Sequence, residues 1–116
     1  PIMSYNIETI LSEKFETIIS RGTLNTRMRD YYDVYILLTI NGSISNDKLK
    51  NAIVKTATHR GSEKLLSKAN DIIEEVSDNE TMKSHWEQYQ IKFDYAKSIS
   101  WDGVIKKLLL VSKINH

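Results

Sequence analysis

Apolar residues recur along this chain at intervals of three and four, the spacing of one face of an α-helix. Ile7, Ile10, Leu11, Phe15, Ile18 and Ile19 make the first such face. Asn6 stands where an N-cap belongs and Gly22 where a helix can end with positive φ, so a helix is predicted over about 7–21. Thr9, Glu13, Glu16 and Ser20 fall opposite that face. Lys14 interrupts it, projecting between Ile7, Ile10, Leu11 and Ile18, and Arg21 lies on the same stripe. A lysine there either snorkels to solvent at the core edge or is aimed at an anion, which could be Asp30 and Asp33 or a ligand phosphate.

The organising stretch is the second one, residues 27–38, Arg-Met-Arg-Asp-Tyr-Tyr-Asp-Val-Tyr-Ile-Leu-Leu. Tyr31, Val34, Tyr35 and Leu38 share a face, which Met28, Tyr32 and Ile36 widen. A helix apolar around most of its circumference should be buried, and a buried helix should carry no charge without a reason. Asp30 and Asp33 are the exceptions. They pair with neighbouring cations, or belong to a site, or both. The short turn 23–26, with Asn25 or Thr26 as cap, makes the two helices neighbours and carries Lys14 and Arg21 towards Asp30 and Asp33. Arg29 and Asp33, four apart, can pair along the helix.

Further along, residues 1–5 read as an entry segment and Asn41-Gly42-Ser43 as the end of the second helix. A third helix runs from about Asp47 to Arg60, capped by Ser45 or Asn46 and closed by Gly61, with Lys48, Lys50, Lys55 and Arg60 on its outer face. A fourth starts after Ser62 and keeps Leu65, Ala69, Ile72, Ile73 and Val76 inward. A fifth, capped by Asp78, runs to about Lys97 with Met82, Trp86, Tyr89 and Phe93 as a core stripe. Ser100 caps a sixth over about 101–113. No strand alternation, repeat or low-complexity segment appears. The expected fold is all-α, a compact single domain of about six helices with no sheet.

Composition narrows the function classes. Sixteen basic residues nearly balance fifteen acidic ones, so whole-chain charge points to neither a nucleic-acid binder nor a membrane-surface protein, although a local patch remains open. The absence of cysteine excludes thiolate chemistry and fits a cytoplasmic location. No apolar run approaches the roughly 20 residues that span a bilayer, so no membrane partner is expected. His59, His85 and His116 lack metal-ligand spacing, and no Gly-x-x-x-x-Gly-Lys loop or Asp-x-Asp pair occurs. The constellation left is Lys14, Arg27, Arg29, Asp30 and Asp33. Cations that hold phosphates beside carboxylates that hold Mg²⁺ or orient a hydroxyl suit phosphoryl or nucleotidyl transfer. Spacing alone favours the plainer reading, a buried ion-pair network that fixes the register of two helices.

Two segments carry a resemblance. Residues 5–15, Tyr-Asn-Ile-Glu-Thr-Ile-Leu-Ser-Glu-Lys-Phe, resemble the "leEtiLAEKl" helix of the AbiEii/AbiGii-type toxin nucleotidyltransferases. Residues 27–38 resemble that family's "R-x-K-D-x-Y-D-l-y-l-L" motif, with Arg29 where the family usually has lysine. Thr58-His59-Arg60-Gly61, Trp86-x-x-Tyr89-Gln90 and Tyr95-Ala96 resemble its less specific C-terminal portion.

The resemblance implies a toxin of abortive-infection or toxin–antitoxin systems, with nucleotide transfer to RNA, tRNA in some members. It implies Lys14 on nucleotide phosphate and Asp30 as the acid of the later catalytic motif, with Arg27, Arg29 and Asp33 supporting them. The family's nucleotidyltransferase core motifs are missing, so the expectation is the C-terminal helical part of a longer protein, inactive alone. No cofactor is then expected in this chain by itself. Mg²⁺ and a nucleoside triphosphate are implied for the full-length parent, and the implied partners are its N-terminal nucleotidyltransferase core, an RNA acceptor and a cognate antitoxin. The alternative is a non-catalytic helical module that binds protein or RNA.

Overall fold

The first helix is built where the apolar spacing predicts it. A computed structural model describes residues 6–41 and 44–114. The entry segment 1–5, Gly42, Ser43 and His116 lie outside the described residues. Helix α1 (Ile7–Arg21) starts at Asn6, whose side chain accepts from the Thr9 amide, and stops at Gly22, where φ is +53°. That angle is open to glycine and strained for other residues, which is why the chain turns there. A 3-10 turn over Gly22–Leu24 leads to α2 (Met28–Ile40).

Five more helices follow: α3 (Asn46–Arg60), α4 (Glu63–Leu66), α5 (Ala69–Asp78), α6 (Glu80–Lys92) and α7 (Trp101–Ile114). Ser45 caps α3 through the Lys48 amide, Asn79 caps α6 through Met82, and Ser100 accepts from Gly103 at the start of α7. The architecture is all-α, and no strand occurs among the described residues. Helix α1 packs on α2 and α3, and α7 packs on α2 and α5. One apolar cluster joins them, with Leu11, Phe15, Ile18, Tyr31, Ile53, Ile73, Trp86 and Leu108 essentially inaccessible.

Three departures from the expected pattern have physical causes. The helix expected after Ser62 is two helices, α4 and α5. Leu65 and Leu66 close α4, and both pack on the core. The chain then turns at 67–68, where the Ser67 hydroxyl takes up the Lys64 carbonyl. The helix expected to reach Lys97 ends at Lys92, and the cap is Asn79 rather than Asp78. Phe93 is extended, and a 3-10 turn follows over Asp94–Ala96. The Gln90 amide donates to the carbonyls of Ala96, Lys97 and Ile99 (3.3, 3.4 and 2.7 Å), which folds the segment back against α6. As a result only Met82 and Trp86 of the aromatic stripe are core residues; Tyr89 and Phe93 sit half-buried at the rim.

Helix α2 is also less enclosed than its apolar circumference implies. Met28, Asp30, Tyr31 and Val34 are buried, whereas Tyr32, Tyr35, Ile36, Leu37 and Leu38 are half-buried and Ile40 is exposed. A charged residue is thus deeper than most of its apolar neighbours.

Candidate functional site

The α1–α2 contact brings Lys14 to both acids. Its Nζ lies 3.2 Å from Asp30 Oδ1 and 3.1 Å from Asp33 Oδ2. Asp30 is almost wholly buried, its side chain 4% exposed, while Lys14 keeps 30% of its side chain in solvent. The other Asp30 oxygen accepts from the Asn25 amide at 3.3 Å. The Asn25 side-chain oxygen, Oδ1, accepts from the Arg27 backbone N–H. Asn25, itself buried, is therefore no helix cap. It is a clip between the turn and the buried carboxylate. Arg27 occupies the N-cap position without a side-chain cap.

Burial acts to lower the Lys14 pKa, but hydrogen bonds to Asp33 and Asp30, together with their charges, outweigh it. The net shift is upward from the ordinary 10.5, so the ammonium stays charged across the physiological range. A buried carboxylate needs such a partner, since an unpaired charge in the interior is strongly unfavourable.

The other candidate cations are placed differently. Arg29 Nε reaches Asp33 Oδ1 at 3.6 Å from a side chain 71% exposed, a loose pair worth little by itself. Arg27 and Arg21 are exposed and form no ion pair among the described residues. Beside Asp30, the Tyr31 hydroxyl is buried without a hydrogen-bond partner among the described residues. Burial, and then the Asp30 charge, push its pKa well up.

A second charged network lies on another side of α1, and it contradicts the sequence expectation. Glu16 was placed by its spacing on the polar face; it is 5% exposed. Arg60 Nη1 donates to its Oε1 at 2.7 Å and the Ser62 hydroxyl to its Oε2 at 2.8 Å. Arg60 also reaches Glu13 at 3.5 Å. The residue expected on the outer face of α3 therefore ties the α3–α4 corner to α1. Gly61, with φ +73°, makes the turn that aims both partners inward.

A family model described as "Nucleotidyl transferase AbiEii toxin, Type IV TA system" matches residues 1–107. The chain belongs to the AbiEii toxin family. No curated protein and no solved structure matches it. The AbiEii match takes in both charged networks and runs into α7.

The family's chemistry implies a divalent metal, and the donor set of this AbiEii chain does not fit one. Asp30 and Asp33 converge on a lysine rather than on each other, and among the described residues no three His, Asp or Glu side chains come together as a metal site requires. What the arrangement offers is an ammonium charged across the physiological range, at a surface rim, held by one buried and one half-exposed carboxylate. No described helix is long and apolar enough to cross a membrane.

Proposed function

We propose that this chain is the helical half of a toxin nucleotidyltransferase and completes the nucleotide site of an N-terminal core that carries the metal-binding acids. The observation that carries the proposal is the Lys14 ammonium, bridging Asp30 and Asp33 while remaining 30% exposed. A lysine used only to neutralise Asp30 has no need of a second carboxylate or of solvent. A lysine that exchanges the half-exposed Asp33 for a phosphate oxygen needs both.

In this reading Asp30, anchored by Asn25, fixes where the ammonium sits. Asp33 holds it in the resting state and yields it to an incoming nucleoside triphosphate. Lys14 then offsets charge on the phosphates, a task that needs a cation already in place. Arg29 and Arg27 flank the same helix end and add positive charge near the departing or accepting group. The acceptor is an RNA, and a cognate antitoxin restrains the toxin in the cell.

The test uses the toxin as its gene encodes it, with any N-terminal core, incubated with each labelled nucleoside triphosphate and cellular RNA. Wild type is expected to label RNA. The double variant Lys14→Met/Asp30→Asn removes both charges together, so no unpaired charge is left inside and folding is retained. Its transfer should fall at least a hundredfold, with loss of growth arrest on induction. Transfer retained by the folded double variant would overturn the proposal. It would leave the ion pairs as a device that fixes α1 against α2 in a non-catalytic module.

A further inference from the structure

The half-buried end of the aromatic stripe forms a surface that the transfer reading does not use. Tyr89 and Phe93 at the end of α6 lie beside Tyr95 and Tyr32, with ring centroids 4.7 to 6.2 Å apart. Phe93 and Tyr95 stack with centroids 5.2 Å apart and planes inclined by 30°, and Tyr95 is 47% exposed. Their hydroxyl groups are partly spoken for, since those of Tyr89 and Tyr95 bond each other at 2.8 Å. Tyr95 is exposed and Phe93 half-buried, so ring as well as hydroxyl is within reach of solvent.

Next to it, between the start of α2 and the end of α6, is an open cleft of about 330 Å³. That is the lower end of the range for small-ligand clefts, about 300–1,000 Å³. Arg27, Arg29, His85 and Lys92 line it together with Tyr89 and Phe93, and no acidic residue does. Arg27 and Lys92 form no ion pair among the described residues, and Lys92 lies over the Phe93 ring at 5.4 Å. In a chain of net charge +1, this is a local concentration of positive charge, in which Arg29 alone pairs with an acid among the described residues. Arg29 also touches Asp33, the partner of Lys14, so cleft and ion-pair site adjoin.

We propose that this cleft binds an unpaired segment of nucleic acid, with a base against the Phe93–Tyr95 rim and phosphates on Arg27, Arg29 and Lys92. Cations beside exposed ring faces are how single strands are held without sequence reading. A duplex keeps its bases stacked away from such rings, and an acidic peptide would use the cations and leave the rings idle. The cleft would hold the acceptor end next to Lys14. That link rests on the transfer reading, whereas binding does not.

The test is fluorescence anisotropy of the 116-residue chain with a labelled twelve-nucleotide oligoadenylate RNA, and with a twelve-base-pair RNA duplex, at 50 mM salt. The single strand should bind at least fivefold more tightly than the duplex. Tyr95→Ala, at an exposed position that folding should tolerate, and Phe93→Ala should each weaken binding by about 5- to 100-fold. Arg27→Ala and Lys92→Ala should each reduce the slope of log affinity against log salt by about 0.7. No saturable binding, equal binding of duplex, or affinity unchanged by both aromatic variants would overturn the proposal, the last two leaving only diffuse electrostatic attraction. Lys14→Met/Asp30→Asn should bind the strand as wild type does while losing transfer, which separates the two readings. Full transfer by a Tyr95→Ala variant that no longer binds the strand would overturn the acceptor role and leave the transfer reading standing.

Discussion

Helix α1 carries two charged networks, two residues apart in sequence, and they are built on opposite plans. At Glu16 an acid is buried and its partners come to it: Arg60 at 2.7 Å and Ser62 at 2.8 Å occupy both oxygens. At Lys14 the cation stays at the rim and is shared by two acids, one buried and one half-exposed. The first network is closed around its acid, both Glu16 oxygens being filled from within the chain. The second has capacity left over, because an ammonium with three donors and partial exposure can take another acceptor. A closed network fastens helices; an open one can also exchange partners.

The largest expected effect comes from opening the closed network. Arg60→Ala leaves Glu16 buried with only the Ser62 hydroxyl. We expect a loss of about 2–3 kcal/mol in urea unfolding, below the 3–5 kcal/mol of a fully buried pair because Arg60 is 38% exposed. A loss under 0.5 kcal/mol would mean that the fastening role is wrong.

Lys14→Ala strands Asp30 in the same way, but Asn25 still holds one oxygen, and the lost ammonium was partly in water. A cost of about 1–2 kcal/mol is expected by the same measurement. Stability alone therefore does not separate a functional lysine from a structural one here, since either would leave Asp30 unpaired. Asp33→Ala, at a half-exposed carboxylate, should cost less than about 1 kcal/mol. If Asp33→Ala costs as much as Lys14→Ala, the two acids share the fastening equally and the contrast between the networks weakens.

The pH dependence sharpens the same contrast at the alkaline end. Lys14 has a folded pKa above its ordinary 10.5, so its contribution is complete below that value and is lost as pH rises through the raised folded value. Tyr31 and Tyr89 shift upward too, burial being the leading cause in each. Unfolded tyrosines ionise near 10 while the folded ones resist, which again favours unfolding at high pH. Chemical denaturation should show stability falling from about pH 10, with a smaller fall in Lys14→Ala. The smallest effect is expected for Tyr31→Phe. It deletes a buried hydroxyl that has no partner among the described residues and should be neutral or stabilising by up to about 1 kcal/mol.

What the sequence disclosed follows from the same contrast. Lys14 was legible because a charge in the middle of an apolar stripe breaks a local pattern, and its acids lie one short turn away. Glu16 was not, because on the helical wheel it sits among Glu13 and Ser20, and its burial depends on a corner 44 residues later. Arg60 likewise reads as an ordinary cation at a helix end. The end of α6 was misread for a similar reason. The three-and-four spacing continues through Phe93, but the Gln90 side chain takes up the carbonyls of Ala96, Lys97 and Ile99 and so holds the following chain in a non-helical link. The helices around the core were otherwise set by periodicity, glycines and capping side chains, all of which are local. The break between α4 and α5 at 67–68 left no comparable local mark.

The Ile99 carbonyl has a consequence for time rather than shape. It accepts both the Trp86 indole N–H at 3.0 Å and the Gln90 amide at 2.7 Å. A non-helical link of this kind would ordinarily be the first part of a domain to breathe. Here two side chains of the preceding helix bolt it down, so the link between α6 and α7 should open about as seldom as the helices beside it. Amide protons of residues 96–99 should accordingly exchange slowly with deuterated solvent, and Gln90→Ala should quicken them before it alters any average structure.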